Sequence, residues 1–327
     1  MPINIKRIQR DILALAEFNA TPGQGCTRFT YTAQDRQARD YLLAELAALE
    51  LNVVVDGVGN IRARKEGTSS LPPILVGSHI DTVRHGGKFD GILGVVVGLE
   101  CLRALAEDGV VLRHPVELIV FAEEEGSSYM PLAGSKTLTG VLSVEDLKGI
   151  TNSAGLSMYD AARQFGLNPH EMPQHIIRPG DIKAMLELHV EQSVVLEREQ
   201  LPIGIVQHVA GGNWLGITLK GVANHAGATP MGYRNDPMAA AARIISSLGG
   251  ILEQNGSKTA VATVGKMECR PNTPNVIPGE VFFTVDVRDI DAQSMESICA
   301  SIQDMVQKVA EGQGMEWDCR FLVKTHP

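Results

Sequence analysis

Four stretches of the 327-residue sequence carry side chains whose types and spacing suit chemistry. The first is GSHIDTVRHGGKFDG, residues 77–91, which follows the apolar, strand-like run Ile74–Gly77. It places His79 at the end of a strand, the edge at which open α/β sheets bind ligands. Asp81 lies two residues on. It could accept a hydrogen bond from the His79 ring and so fix the tautomer of a metal-bound histidine. Asp90 sits in a glycine-flanked turn ahead of a helix, where a carboxylate could bridge two cations or simply cap the helix. His85 and His114 read as ordinary surface histidines.

The second stretch is Glu123-Glu124-Glu125, directly after the apolar run Val116–Ala122. Three carboxylates at the end of a buried strand repel one another and are costly to desolvate, and a dication offsets that cost. An isolated triplet of this kind would be a solvated acidic turn. Here it ends the same kind of strand as the one before His79. One glutamate could bind metal while a neighbour acts as general base; spacing leaves open which takes which role.

The third stretch, LELHVEQ (186–192), sets His189 in a strand-like run, with Glu191 and Gln192 behind it. With His79, Asp90 and a glutamate it makes an N/O ligand set suited to Zn, Mn or Co rather than to a thiolate-preferring metal. The fourth comprises GVANHAGATPMGYRND (221–236), PNTPNVIPG (271–279) and DVRD (286–289). Its His225, Asn275 and Arg288 offer a neutral donor, an amide and a guanidinium. That set fits an anionic substrate with a polar carbonyl: Arg can hold a carboxylate bidentately and His225 could stabilise an oxyanion. Neither GxGxxG nor GxxxxGK[ST] occurs, which argues against nucleotide binding.

Elements must hold these groups in place. Apolar spacing predicts helices over residues 3–18 and 34–50, the second with Thr32 just upstream as a cap. Short strands follow at Asn52–Asp56, Ile61–Arg64 and Ile74–Gly77, then a buried helix over 91–108 and a buried strand at Val116–Ala122. Residues 141–183 read as short helices and loops, and Met185–Val190 as a further strand. Strands alternating with helices suggest an α/β layer with a largely parallel sheet. The texture changes near AGG at 210–212. Beyond it come a strand (Asn213–Val222), an Ala-rich helix (Pro237–Gln254), strands at Thr259–Met267 and Glu280–Asp286, a helix (Ala292–Glu311) and a last strand (Glu316–Lys324). This β–α–β–β–α–β order predicts a four-stranded sheet with two helices on one face. The expected domains are 1–210, holding the metal ligands, and 211–327.

Composition narrows the function classes. At 44% hydrophobic and 20% charged residues the chain is an ordinary globular one, long enough for about two domains. A net charge of −9 argues against nucleic-acid backbones and anionic membranes as partners. The five cysteines are scattered and odd in number, which reads as a reduced, cytoplasmic protein. The N-terminus lacks the apolar core of a signal peptide, and the most apolar window, residues 91–106, is interrupted by Glu100 and Arg103.

Taken together and in order, GSHIDTV, GGKFDG, FAEEEGS, LHVEQ, NHAGATPMGYRND, PNTPNVIPG and DVRD resemble the amidohydrolase branch of the M20 metallopeptidase superfamily. That branch contains N-carbamoyl-L-amino acid hydrolases, allantoate amidohydrolases and β-ureidopropionase-like enzymes. The resemblance runs from about residue 5 to the end. It implies an α/β, zinc-peptidase-like catalytic domain with a mixed sheet and helices on both faces, plus a smaller α+β lid and dimerisation domain. It also implies two divalent metal ions (Zn, Mn or Co). By motif, His79 and His189 would bind one ion, Asp90 would bridge both, and Glu125 would bind the second. Glu124 would be the general base, Asp81 would orient His79, and Gln192 would contact substrate or groups near the metal. His225, Asn275 and Arg288 would hold the substrate's carbonyl and carboxylate, His225 and Asn275 reaching the partner's site in a homodimer.

The implied reaction is hydrolysis of a carbamoyl or ureido C–N bond of a small-molecule substrate, releasing ammonia and carbon dioxide. Two alternatives stand beside it: an M20 aminoacylase or peptidase, and a truncated chain that binds metal or ligand without turnover. The sequence departs from the family pattern at Ser128, where an arginine is usual before the aromatic Tyr129. Family members also continue past the lid into a segment whose histidine completes the second metal site. This chain stops at Pro327 and supplies four of the five expected protein ligands, with His326 matching no motif.

Overall fold

Apolar residues recur along the N-terminal half at two periods, and the structure sorts them onto helices and strands. The computed structural model describes residues 2–327. The chain forms two compact units, the first running to Arg198 and the second spanning Glu199–Pro327.

In the first unit the elements run α1 (Ile5–Glu17), α2 (Ala33–Ala47), β1 (Asn52–Val55), β2 (Ile61–Lys65), β3 (Ile74–His79), α3 (Ile92–Glu107) and β4 (Val116–Phe121). Then come α4 (Ala133–Leu138), α5 (Val144–Gly149), α6 (Met158–Gln164), β5 (Ala184–Leu186) and the single turn α7 (Val195–Arg198). The strands form one sheet in the order β1-β2-β4-β3-β5. β3 pairs in parallel with β4 and β5, whereas β2 is antiparallel to β1 and β4. The sheet is therefore mixed rather than largely parallel. The short β1–β2 connection allows only a hairpin, and a parallel step needs a crossover such as α3.

The alternation along VELIVF explains why β4 sits at the centre. Val116, Leu118 and Val120 face α1, α2 and α3 with Leu15, Leu42 and Leu99, while Ile119 points the other way, to Leu75 and Leu138. Helices thus cover both faces. α3 is apolar almost all round, yet it buries Glu100 and Arg103, and α1 supplies their partners. Arg7 donates to Glu100 at 2.6 and 2.7 Å, and Arg103 to Asp11 at 2.5 Å. Each buried charge is thereby paired. At the start of α2, Thr32 accepts from the Asp35 N–H, as a cap should.

The second unit contains β6 (Gly211–Lys220), β7 (Asn224–His225), α8 (Pro237–Asn255), β8 (Val261–Arg270), β9 (Val276–Ile277), β10 (Glu280–Asp289), α9 (Ala292–Glu311) and β11 (Glu316–Lys324). An antiparallel sheet, β11-β6-β10-β8, packs Leu215, Ile217, Val281 and Phe283 against Ile244 and Ile302 of the two helices. The period-2 burial of β10 is the mark of a sheet covered on one face. Added to the expected order is a small ribbon, β7–β9, in which His225 pairs with Val276. No helix among the described residues is long and apolar enough to cross a membrane.

Candidate metal centre

β3 and β4 end side by side, His79 opposite Phe121, so the chain leaves both strands at one sheet edge. The two turns that follow are stitched together by Asp81. Its carboxylate accepts from the Glu124 N–H at 3.3 Å and from the Glu125 N–H at 3.0 Å. His79 Nδ1 lies 3.0 Å from the Asp81 carbonyl oxygen and 3.6 Å from its carboxylate. The ring's hydrogen bond therefore goes to the backbone of Asp81 rather than to the side chain. Either way Nδ1 is engaged and Nε2 is left as the ligand atom. Burial works against the imidazolium, but the hydrogen bond and charge of Asp81 outweigh it and hold the ring's pKa up at about 9. Burial likewise works against the Asp81 carboxylate, and His79 overcomes it, keeping that group below its ordinary range.

Gly91 brings Asp90 against this ring. Its φ is +68°, and a Cβ there would lie 2.5 Å from the imidazole of His79, so only glycine fits. His189 approaches from the third parallel strand. It lies three residues beyond β5, not within a strand as its sequence context suggested. Its Nδ1 is 2.9 Å from the Val190 carbonyl oxygen and its Nε2 is 3.2 Å from Asp90 Oδ1. One ligand atom each from His79, Asp90 and His189 falls within 4.8 Å of the others. Asp90 Oδ2 accepts from Gln192 Nε2 at 2.6 Å, whereas Oδ1 is buried with no hydrogen-bond donor among the described residues. A buried carboxylate oxygen without a donor, facing imidazole nitrogens, is a site that a divalent cation satisfies. The donor set fits a metal.

The three glutamates, which would repel one another in a common direction, diverge. Glu123 takes a positive φ of 56° and turns fully inward, accepting from the Ser128 and Tyr129 N–H groups at 2.9 and 2.6 Å. Glu124 is held at both oxygens by Ser135, from N–H at 2.8 Å and from Oγ at 3.0 Å. Burial raises its pKa. Glu125 lies outside the trio and turns its carboxyl to Asp90; burial first, and then the charge of Asp90, push it up to about 7. A cation between these two carboxyls relieves that repulsion. Sequence reasoning passed over Ser135, which lies 11 residues from Glu124 and reaches it only because α4 starts there. It also passed over Glu187, whose Oε1 accepts from Ser78 Oγ at 2.5 Å.

In the second unit, His225 lies in β7 and Asn275 just ahead of β9, and the Ala226 N–H donates to the Asn275 carbonyl at 3.0 Å. His225 Nδ1 accepts from the Gly227 and Ala228 N–H groups at 3.0 and 3.2 Å, which fixes the proton on Nε2. Arg288 lies apart from them on β10, with its Nε 3.0 Å from Asp286.

Residues 75–316, from the second residue of β3 to the first of β11, match peptidase family M20/M25/M40. The chain belongs to this family. Within it, the chain is 40% identical to an N-carbamoyl-L-amino acid amidohydrolase of Geobacillus stearothermophilus over 98% of its own length and 78% of the relative's. It is 36% identical to an allantoate amidohydrolase of Escherichia coli K12, over 98% and 78% of the two chains. Among solved structures, a hydantoinase/carbamoylase-family amidase from Burkholderia multivorans superposes with a TM-score of 0.89 at 33% identity, covering 99% of this chain and 78% of that one. The M20 fold thus accounts for both units, and the His79–Asp90–His189 group lies within the matched span.

Proposed function

We propose that this M20 chain is a metal-dependent amidohydrolase that cleaves the carbamoyl (ureido) C–N bond of N-carbamoyl-L-amino acids or allantoate-like ureides. The balanced reaction takes one water and yields an amine or amino acid, carbon dioxide and ammonia. The observation that carries it is the donor-free Oδ1 of Asp90 between two histidines whose Nδ1 atoms are already engaged. The naming of relatives as N-carbamoyl-L-amino acid and allantoate amidohydrolases supports the choice of bond.

In this reading His79, Asp90, Glu125 and His189 would hold two divalent ions, Zn, Mn or Co. Such ions lower the pKa of water and polarise a carbonyl. Glu124 then removes the proton from the attacking water and passes it to the leaving nitrogen; its burial, which raises its pKa, suits that exchange. Asp81 keeps His79 oriented. Gln192 holds Asp90 and borders the substrate. His225, Asn275 and Arg288 take the carbonyl oxygen and the carboxylate, in a homodimer formed through the second unit. The acidic chain, with its five scattered cysteines, works in the cytoplasm.

The test is ammonia release from N-carbamoyl-L-amino acids and allantoate, beside amine release from N-acetyl-L-amino acids, with Zn, Mn or Co added and metal content measured on the same protein. Ammonia release supports the proposal. Cleavage of the N-acetyl substrates alone would replace it with an aminoacylase. Metal or ligand binding without any turnover would make the chain a non-catalytic binder.

A further inference from the structure

A cavity of about 640 Å³ opens in the first unit, within the volume range of small-molecule pockets, and none of the four candidate metal ligands lines it. Its walls include Thr30, Tyr31, Arg84, Ser128, Tyr129 and Phe165. In a chain of net charge −9, Arg84 is the only charged residue among the described residues that line it. Arg84 is exposed and makes no ion pair among the described residues; its guanidinium carbon stands 5.6 Å from the centre of the Phe29 ring. The walls are fixed. Tyr31 packs its ring 6.0 Å from Tyr129 and 5.5 Å from Phe165, and its hydroxyl donates to the Val58 carbonyl at 2.9 Å. Thr30 Oγ1 is buried without a well-formed hydrogen bond among the described residues, and it lies close enough to Glu123 to favour that carboxylate. Glu123 itself stands behind the wall with one oxygen held by the Ser128 and Tyr129 N–H groups.

Two of the segments that line the cavity continue directly from residues of the metal centre. Ser128 is three residues from Glu125 and Arg84 three residues from Asp81. Three residues span at most about 11 Å of chain, so both Cα atoms lie within that distance of the centre's own residues. That is comparable to an extended N-carbamoyl amino acid with a long side chain. Aromatic walls suit methylenes, and an unpaired guanidinium at the rim suits a terminal carboxylate.

We propose that this cavity is the side-chain subsite of the hydrolase, and that Arg84 makes it select N-carbamoyl amino acids whose side chain ends in a carboxylate. The inference rests on the hydrolase reading above. Its test uses N-carbamoyl-L-glutamate and its neutral counterpart N-carbamoyl-L-glutamine, compared in the metal-loaded protein and in Arg84→Gln. The ratio of the two kcat/KM values should fall tenfold or more in Arg84→Gln and stay put in Arg243→Gln, which removes an exposed positive charge from α8. Ser128→Phe, which fills the cavity, should weaken both substrates relative to N-carbamoylglycine. A ratio unchanged by Arg84→Gln, or lowered equally by Arg243→Gln, would overturn the proposal. If the wild-type chain cleaves none of these compounds, the hydrolase reading fails by itself. Calorimetric binding of the same pair then decides the subsite: tighter glutamate binding lost in Arg84→Gln supports it, and equal binding of the pair refutes it.

Discussion

Glu124 has both carboxylate oxygens occupied by one residue, with Ser135 donating from its backbone and its hydroxyl. As the general base proposed above, a carboxylate clamped in this way would be positioned before substrate arrives. Glu124→Gln should lower kcat by about 10²–10⁴-fold while metal content stays unchanged, the range for loss of a general base. Ser135→Ala keeps the backbone donor and loses the hydroxyl, so kcat should drop by about tenfold with little change in KM. Steady-state kinetics with elemental analysis on both variants checks this. An equal loss of metal in Glu124→Gln would make that residue a ligand instead. Gly91 is the second residue at this scale. In Gly91→Ala the new methyl meets the His79 ring at 2.5 Å and the backbone keeps an unfavourable positive φ. Metal content should fall in that variant although no ligand has been altered.

α1 and α3 are held by charge as well as by apolar contact. Arg103 donates to Asp11 and Glu45, Arg7 to Glu100 and Glu107, and both Asp11 and Glu100 are fully buried. Arg103→Met takes the buried guanidinium away from Asp11 and leaves it only the exposed Arg10 and Tyr41, and the first unit should lose about 3–5 kcal/mol of stability in urea unfolding. A loss under 1 kcal/mol would mean that Tyr41 and Arg10, which also meet Asp11, suffice. In the second unit, Asp289 ties the end of β10 to the start of α9 and to the loop before β8. Burial works against its carboxylate, but Ser294, Thr259 and Ser257 donate to it and bring its pKa down to about 2. Its folded pKa lies below the unfolded value near 3.9, so the stabilisation is present above about pH 4 and disappears as pH falls through 2. It amounts to about 2 kcal/mol. Asp289→Asn should flatten the acid limb of the stability curve over that window.

At the scale of the molecule, the second unit opens with residues 199–210, which form no helix or strand. Ile203, Ile205 and Val206 in this stretch are 71%, 89% and 79% exposed. Backbone that is exposed and outside regular structure is where proteases cut first. Limited proteolysis should therefore release two resistant fragments, one ending near Arg198 and one beginning near Gly211. Earlier cleavage inside α5 or α6 would place the weakest part of the fold elsewhere.

The sequence by itself determined most of the elements and the donor types of the candidate metal centre. The boundaries of α9 and β11 were legible to the residue, because helical and alternating apolar periods are local properties. The strand-end positions of His79 and of the glutamate triplet were legible for the same reason, and the metal-type donors through their residue types. The tertiary structure decided the rest. Only the parallel pairing of β3 and β4 sets Asp81 under Glu124 and Glu125. Only the crossover to β5 brings His189 within 3.2 Å of Asp90, across 99 residues of sequence. Three adjacent glutamates look alike in a sequence, and it was their partners, the Ser128 and Tyr129 amides, Ser135 and Asp90, that sent them apart. A residue's type and spacing limit what it can do. Its hydrogen-bond partners come from distant parts of the chain, and they fix its direction and charge.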